Sequence, residues 1–236
     1  MCAEKVAGKP VDAELLEQFM LPSRIARIDQ VAAARTNMLT VVLDGVQNHH
    51  NVSAVIRSAD AFGIQSVHLI GEQFDYSRGI TLGTERWMDL RRHATAQAAL
   101  SALSSEGYTF VVTAPEDDQR TGSTGAVSVP IYALPFQEKL ALVFGNENRG
   151  VSSELFDAAR YHAFIPMVGF VESLNISVAC AISLFCSMIA VSGGDRRVAT
   201  VSADEQRTLR ERWLKTGVRN SDAILREIGR RSETGK

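Results

Sequence analysis

The chain has 236 residues, of which 45% are hydrophobic and 22% are charged, and its formal net charge is −2. This composition is typical of a globular protein that is large enough to bury a core without disulfide or metal cross-links. The near-neutral charge excludes a chain that is basic throughout. Three cysteines without a CxxC pair exclude a disulfide framework and a thiolate metal site, so we expect a cytoplasmic protein that binds no metal.

Short apolar segments alternate along the chain with segments whose apolar residues recur at helical spacing. The stretch 176–191 is the most apolar, but it contains serines and is short for a membrane span, so we predict a buried helix and no membrane association. The first predicted elements in chain order are a helical segment at 12–35 broken near Pro22, a strand at 39–46, a helix at 51–62, a strand at 66–70 and a loop at 72–86. They are followed by a helix at 95–106 closed by Gly107, a strand at 108–113, a polar loop at 115–125 and a strand at 140–144. The last are a helix at 152–159, a strand at 162–165, a helix at 175–191, and terminal helices at 203–214 and 222–231.

The alternation of strands and helices predicts an α/β fold with a mostly parallel sheet that is covered by helices on both faces. In such sheets ligands bind beyond the carboxyl ends of the strands. The candidate site therefore lies in the loops that follow Val46, Thr113, Phe144 and Ile165.

We divide the chain into an N-terminal helical extension at 1–38, an α/β domain at 39–192 and a C-terminal helical extension at 193–236. Residues 195–236 carry 11 basic and 7 acidic side chains, whereas the rest of the chain carries 14 and 20. A basic extension on an acidic body predicts a docking arm for RNA. The alternative is a pair of solvated amphipathic helices.

Common nucleotide-binding and hydrolase motifs are absent, including GxGxxG after a strand, GxSxG and HExxH. Segment 145–150 has the glycine spacing of a P-loop, but Val151 and Ser152 follow where a P-loop needs Lys and Ser or Thr. His49 and His50 are adjacent, which is poor geometry for one metal, and we predict loop positions for both.

The segment at 51–63 is the first of three that place polar residues where a fold would not need them. Ser53, Arg57 and Asp60 are predicted opposite an apolar face, and Asn51 is predicted at the N-cap. Taken alone, the pattern also fits a plain capped helix with a surface ion pair between Arg57 and Asp60. The apolar face consists of Val52, Val55, Ile56, Ala59 and Phe62.

Two later segments carry polar residues directly after predicted strands. Gly145 and Gly150 bracket four polar residues, more than a plain turn needs, and glycine lets the backbone approach a ligand closely. Ser173 and Asn175 stand at the mouth of the apolar helix at 175–191. Either side chain could cap this helix, and both could face a ligand at its N-terminus, where backbone donors are free.

Together the three segments resemble the signature motifs of the SpoU/TrmH branch of the SPOUT methyltransferases. The resemblance covers about residues 24–191 and implies methylation of a ribose 2′-hydroxyl of RNA by S-adenosylmethionine. It also implies a C-terminal trefoil knot that binds the cofactor, and a homodimer with its sites at the interface. The residues that carry it are Asn51…Arg57, Phe144-Gly145-x-Glu147…Gly150 and Ile165-Pro166-Met167…Ser173-Leu174-Asn175.

The resemblance also assigns two sets of site residues. The cofactor pocket is expected to be lined, largely through the backbone, by Thr113, Gly145, Ile165, Met167 and Leu174. The active-site positions are Asn51, Arg57, Glu147, Ser173 and Asn175. The chain is most similar to the tRNA enzymes that methylate a D-loop guanosine, since those also carry helical extensions at both ends. Asn148 and Arg149 depart from the Lys and aromatic residue of many relatives, so local substrate contacts are expected to differ.

The resemblance leaves the proton acceptor open. Family proposals make the counterpart of Arg57 the base, but a guanidinium keeps its proton up to a pH above about 12. We expect Arg57 to bind a substrate phosphate and to stabilise the developing alkoxide, with a phosphate oxygen or water as the proton acceptor. Asn51 and Glu147 would orient Arg57 or the ribose, and Ser173 and Asn175 would shape the pocket.

Arginines outside the central domain are predicted to dock RNA phosphates in a salt-dependent manner. The substrate groove is predicted to be lined by Trp87, Arg86, Arg91 and Arg92. The alternative for Trp87 is packing in the core. The docking candidates are Arg24, Arg27, Arg35, Arg207, Arg210, Arg219, Arg226, Arg230 and Arg231.

Three other functions stay open. One is a ribosomal-RNA 2′-O-methyltransferase, although only 38 residues precede Leu39, too few for the N-terminal RNA-binding domain that such relatives often carry. Another is a knotted RNA-binding protein without catalysis, which the set of Asn51, Arg57, Glu147 and Asn175 disfavours. The third is base methylation by another SPOUT branch, which the pairing of Asn51 with Arg57 disfavours.

Overall fold

The computed structural model describes residues 15–71, 81–121, 123–192 and 201–234. They fall into two compact units, one within 35–200 and one formed by the two chain ends, 1–34 and 201–236. No helix in the described ranges is long and apolar enough to cross a membrane. Three sequence predictions lie partly or wholly outside the described residues: Cys2, the start of the predicted helical segment at 12–14, and most of the predicted loop at 72–86.

The larger unit contains a parallel sheet of seven strands within its described part. The strands run in the spatial order β3-β2-β1-β6-β4-β7-β5, and every neighbouring pair is parallel. The predicted α/β class is therefore confirmed. The strands are β1 (Leu39–Asp44), β2 (Ser66–Ile70), β3 (Asp89–His93), β4 (Thr109–Thr113), β5 (Val127–Pro130), β6 (Leu140–Gly145) and β7 (Tyr161–Phe164).

Within the described residues, four helices cover the two faces of this sheet. Because side chains alternate along a strand, Val41 and Leu43 of β1 join the core of one face and Val42 joins that of the other. Helices α2 (His49–Ala61) and α5 (Ile176–Ser192) pack on the first face. Helices α3 (Ala96–Ser105) and α4 (Ser153–Ala158) pack on the second.

Strands β3 and β5 were not predicted, and both lie at the edges of the sheet. The sequence of β3 is Asp-Leu-Arg-Arg-His and that of β5 is Val-Ser-Val-Pro, and neither strand is fully buried at any position. An edge strand is covered less than a central one, so it lacks the continuous apolar run that marks a buried strand. Within the predicted loop at 72–86, the described end contains a 3₁₀ turn at Thr84–Arg86.

Helix α2 begins earlier than predicted. Its N-cap is Asn48, whose side-chain oxygen accepts from the His50 amide, so Asn51 is not the N-cap and His49 and His50 are not loop residues. The predicted apolar face is confirmed, since Val52, Val55, Ile56 and Ala59 are buried and Phe62 packs against the same core. Ser53 is wrongly predicted on the polar face, because it is fully buried and its hydroxyl donates to the His49 carbonyl.

The smaller unit consists of helices α1 (Pro22–Ala33), α6 (Ala203–Gly217) and α7 (Ser221–Thr234) in its described part. A capping box between Ser202 and Glu205 starts α6. The Arg210 guanidinium joins α6 to the other end of the chain, because it donates to Asp29 at 2.6 Å and to Glu17 at 2.7 Å. Trp213 is buried within this unit and anchors α6.

Candidate functional site

A cavity of about 690 Å³ lies at the carboxyl ends of β4, β6 and β7 and at the start of α5. This is the edge of a parallel sheet at which ligands bind, as expected for the loops after Thr113, Phe144 and Ile165. All five predicted cofactor-pocket residues line this cavity: Thr113, Gly145, Ile165, Met167 and Leu174.

Gly145 ends β6 at a place where no side chain fits. A Cβ built on it would lie 2.2 Å from the Gly150 carbonyl carbon and 2.3 Å from the Val151 nitrogen. The reason is that the backbones of Asn146 and Gly150 pair with each other across the loop, at 3.0 and 2.9 Å. The two bracketing glycines therefore allow a narrow loop that presents its polar side chains to the cavity.

Asn51, Glu147 and Asn175 form one hydrogen-bonded chain. The Asn51 amide nitrogen donates to Glu147 Oε1 at 2.7 Å, and Asn51 Oδ1 accepts from the Asn175 amide at 3.1 Å. Asn51 is buried, whereas Glu147 and Asn175 are exposed and line the cavity. These three predicted active-site residues come from α2, the β6 loop and the segment before α5, and the fold brings them together.

Asn175 caps α5 and also takes part in the hydrogen-bonded chain beside the cavity. Its Oδ1 accepts from the Ser177 amide at 2.9 Å and from the Ser177 hydroxyl at 2.6 Å, which caps α5. Its amide nitrogen faces Asn51. Ser173 lines the same cavity.

Arg57 is the predicted active-site residue that the single chain does not bring to the cavity. It is exposed on α2 and is not among the residues that line the cavity. The predicted surface pair between Arg57 and Asp60 is wrong, because Asp60 pairs with Arg35 instead. Arg35 is fully buried and also donates to the carbonyls of Asp60 and Ile64, so it is not an RNA-docking residue.

Arg120 and Asp118 line the cavity and were not predicted as site residues. Arg120 donates to the Val151 carbonyl at 3.0 Å, and its guanidinium lies 4.0 Å from the centre of the Phe156 ring. It also donates to both carboxylate oxygens of Asp118, and these hydrogen bonds lower the pKa of that carboxyl below its usual value. The available signal was the position of this polar loop after β4, at the carboxyl edge of the sheet.

The predicted substrate groove around Trp87 lies elsewhere in the sheet unit. Trp87 is half-buried under the Arg86 guanidinium, and Arg91 pairs with Glu106 at 2.5 Å. Arg91 and Arg92 belong to β3, which β2 and β1 separate from the cavity strands. This part of the prediction therefore does not coincide with the cavity.

The other RNA-docking candidates lie in the smaller unit. Arg210 is engaged by Asp29 and Glu17, whereas Arg207 and Arg230 pair with acidic residues one turn away on their own helices. The side chain of Arg231 lies outside the described part of the structure. Within the described residues, no group of three or more His, Cys, Asp or Glu side chains is arranged to hold a metal ion.

The chain is similar to proteins of one family across most of its length. The model of the SpoU rRNA methylase family matches residues 38–185. A tRNA (guanosine(18)-2′-O)-methyltransferase of Borreliella burgdorferi is 32% identical over 212 residues, which are 89% of this chain and 93% of that protein.

Solved structures show the same relationship. The A. aeolicus TrmH/SpoU tRNA modifying enzyme superposes with a TM-score of 0.72 at 27% identity, covering 87% of this chain and all of the other. An AdoMet-bound rRNA methyltransferase from Sinorhizobium meliloti superposes with a TM-score of 0.54 at 28% identity, covering 63% of this chain and 55% of the other.

Proposed function

Because the chain belongs to the SpoU rRNA methylase family, we propose that it transfers a methyl group from S-adenosylmethionine to a ribose 2′-hydroxyl of tRNA. The target is a guanosine of the D-loop. The family supplies the reaction class, and the full-length similarity to a tRNA (guanosine(18)-2′-O)-methyltransferase supplies the substrate. The similarity to a ribosomal-RNA enzyme covers a smaller share of this chain.

The observation that carries the proposal is the hydrogen-bonded chain Glu147–Asn51–Asn175 beside the cavity. A buried amide held by two partners keeps one orientation, so it can fix a hydroxyl or a guanidinium with little reorganisation. A structural role alone would not require Glu147 and Asn175 to line the cavity wall.

The cavity fits the proposed cofactor in size and in chemistry. Its volume of about 690 Å³ lies within the range of small-molecule sites. The Thr113 hydroxyl donates to the Val143 carbonyl at 2.9 Å, so this residue would contact a ligand mainly through its backbone. Gly145, Ile165, Met167 and Leu174 would hold the adenosine portion. When bound, S-adenosylmethionine supplies an electrophilic methyl group on a sulfonium.

The protein must place the 2′-oxygen in line with that methyl group and help to remove its proton. Asn51, fixed by Glu147, orients the ribose or Arg57. The Arg57 guanidinium binds a substrate phosphate and stabilises the negative charge that develops on the 2′-oxygen. The proton passes to a phosphate oxygen or to water. Ser173 and Asn175 shape the pocket around the ribose.

A homodimer and a trefoil knot belong to the same proposal. Arg57 is exposed and lies outside the cavity lining of its own chain, and in the proposed homodimer a second copy would complete the site with it. The apolar side chains Val178, Phe185 and Ile189 of α5 are each about half exposed, which supports a partner on this helix. The knot would lie in the segment from β6 to α5, which contains two of the signature motifs. The basic C-terminal segment would dock tRNA phosphates.

The proposal is tested by methyl transfer from labelled S-adenosylmethionine to total tRNA and, separately, to ribosomal RNA, followed by nucleoside analysis. We expect 2′-O-methylguanosine in tRNA. Arg57→Ala should lower kcat by roughly 10²- to 10³-fold, the usual effect of removing a donor that stabilises an oxyanion. Arg160→Ala is the matched control, because Arg160 is exposed and does not line the cavity.

Each other outcome has a distinct meaning. A product only in ribosomal RNA would assign the protein to the rRNA enzymes. Cofactor binding without transfer to either RNA would favour a non-catalytic RNA-binding protein. Full activity of Arg57→Lys would contradict the proposed role of the planar guanidinium, because an ammonium cannot make the same paired hydrogen bonds.

A further inference from the structure

A second, smaller cavity of about 320 Å³ adjoins the first. The two cavities share Asn146, Asn148, Arg149 and Gly150, so one loop forms a wall of both. The rest of the smaller cavity is lined by polar groups and backbone at the end of β1 and the start of α4: Asp44, Gly45, Gln47 and Ser152. A molecule in this cavity would lie next to a molecule in the larger one.

Asp44 is a buried carboxylate with capacity for further hydrogen bonds. It is the last residue of β1, is 8% exposed, and its Oδ2 accepts from the Ser152 amide at 2.8 Å. Within the described ranges no cation lies within ion-pairing distance of it. An ionised carboxylate has about four acceptor sites, and buried polar groups are normally satisfied. The remaining acceptor sites of Asp44 therefore favour a ligand that donates hydrogen bonds.

Ser152 adds an unsatisfied hydroxyl to the same wall. Its Oγ is buried and has no hydrogen-bond partner among the described residues. A hydroxyl both donates and accepts, so it can bond to a polar ligand that enters the cavity. It stands beside Asp44, because the Ser152 amide bonds to that carboxylate.

Arg149 lies on the loop that both cavities share, and its guanidinium supplies hydrogen-bond donors. The Asn146 side chain fixes this loop, because its amide nitrogen donates to the Gly45 carbonyl at 2.9 Å and its oxygen accepts from the backbones of Asn148 and Arg149. The Arg149 side chain is exposed, and it forms no ion pair within the described part of the chain. A fixed backbone thus presents a guanidinium to the cavity.

We infer that the smaller cavity binds the base of the target guanosine, an inference that rests on the proposed function. On its Watson–Crick edge, guanine carries an acceptor, O6, and two adjacent donors, N1–H and the N2 amino group. A carboxylate complements the two donors and a guanidinium complements the acceptor. Adenine and cytosine present only one donor group on this edge, and uracil presents one N–H between two carbonyls. Asp44 and Arg149 therefore select guanine.

The location agrees with this assignment. Enzymes that act on a flipped-out base read it in a pocket by hydrogen bonds to its Watson–Crick edge, and we extend this mode of reading to an enzyme that acts on the adjoining ribose. A base held in the smaller cavity leaves its ribose at the shared loop, next to the cavity proposed for the methyl donor. Gln47 and Asn148 then lie at the mouth of the base pocket, where both are exposed.

The test compares tRNA transcripts that carry guanosine or inosine at the methylated position, since inosine lacks only the N2 amino group. Wild-type protein should prefer guanosine in kcat/KM. Asp44→Asn keeps one oxygen that can accept from the Ser152 amide, but it loses the negative charge and replaces the second acceptor oxygen with an NH₂ group. We expect it to lower kcat/KM for guanosine by roughly 5- to 150-fold, the range for a bidentate contact with a base, and to abolish the preference over inosine. Binding of S-adenosylmethionine should change less than about twofold.

Two further variants keep the test falsifiable. Arg149→Gln should lower kcat/KM for guanosine and inosine equally, because both bases carry O6. Glu138→Gln, at an exposed carboxylate outside both cavities, should change nothing. An undiminished preference for guanosine in Asp44→Asn, or a loss of cofactor binding in place of base selectivity, would overturn the inference.

A binding measurement separates this inference from the proposed function. Guanosine and inosine monophosphates are titrated by calorimetry into wild-type and Asp44→Asn protein saturated with S-adenosylhomocysteine. Tighter binding of the guanosine nucleotide only to wild type supports the base pocket even if no methyl transfer to tRNA is found. Equal binding of both nucleotides to wild type rejects the base pocket, whether or not the enzyme is active.

Discussion

Arg120 holds the wall of the larger cavity through three different kinds of contact. It donates to the Val151 carbonyl, stacks on the Phe156 ring and pairs with Asp118. Hydrogen bonding to Arg120 lowers the pKa of Asp118. Because the folded-state pKa is depressed, the stabilising effect of this pair is present above the ordinary pKa of an aspartate and is lost only as the pH falls through the lowered value. The contact therefore persists at neutral pH.

Arg120→Ala should weaken binding of S-adenosylmethionine by roughly tenfold, because a charge-assisted hydrogen bond and a cation–π contact to the loop are lost. The KM for the cofactor should rise, while kcat at saturating cofactor should change less than about threefold. Steady-state kinetics with Arg160→Ala as the control checks this, since that arginine is 62% exposed. A loss confined to kcat, or a fall in the melting temperature without a change in KM, would contradict a positioning role.

Strands β2 and β3 are joined by an unusual side-chain contact between two histidines. The His68 and His93 rings stack with centroids 5.1 Å apart, and His68 Nδ1 lies 2.8 Å from His93 Nε2. Burial, followed by the charges of His93 and Arg91, lowers the pKa of His68 to about 3. Burial also lowers the pKa of His93. At neutral pH both rings are neutral, so one donates a hydrogen bond to the other.

This pair should make the stability of the protein depend on pH. As the pH falls below about 6.5, the unfolded chain binds a proton at His68 while the folded chain does not, so the free energy of unfolding decreases down to about pH 3. Between pH 7 and pH 5 the loss from His68 is of order 2 kcal/mol. Urea unfolding at both pH values should show this loss in wild type and a smaller loss in His68→Gln.

The control for that experiment is His49→Gln, at an exposed histidine in the first turn of α2. It should keep the pH dependence of wild type. An identical pH dependence in His68→Gln and wild type would show that the buried ring is not the group that titrates on unfolding.

At the scale of the whole molecule, helix α5 has one face that the single chain leaves half exposed. Val178, Phe185 and Ile189 are 45%, 48% and 47% exposed, and α5 contains no charged residue from Ile176 to Ser192. The opposite face, with Cys180 and Leu184, is fully buried against the sheet. A helix that is apolar all round is expected to be covered on all sides, and the proposed homodimer would provide that cover.

Phe185→Asp should therefore shift the protein from dimer to monomer and abolish methyl transfer while leaving the chain folded, because a carboxylate cannot be buried in an apolar interface without a partner. Sedimentation velocity and circular dichroism check this. Leu82→Asp is the control, because Leu82 is 72% exposed and its positive φ is tolerated by aspartate. A wild-type protein that sediments as a monomer would reject the proposed dimer.

The sequence determined the features that depend on neighbouring residues. The strand at 140–144 and the helix closed by Gly107 were predicted because a buried strand is a continuous apolar run and a left-handed C′ residue favours glycine. The resemblance to the SpoU/TrmH motifs assigned the five residues expected to line the cofactor pocket, and all five line the larger cavity. Glu147, Ser173 and Asn175 were placed at the cavity by the same resemblance.

Tertiary structure alone decided the features that depend on residues far apart in the chain. Asn48 and Asn51 are equally suited to be an N-cap. Asn51 instead belongs to the candidate site, because its side chain donates a hydrogen bond to Glu147, 96 residues away in the chain. Asp60 pairs with Arg35 and not with the neighbouring Arg57 because the fold buries that arginine beside it. Contacts between distant segments also decide edge strands β3 and β5, the Arg120 contacts and the cavity around Asp44. Local periodicity reports which face of an element is buried, whereas the partner on that face is set by the packing of distant segments.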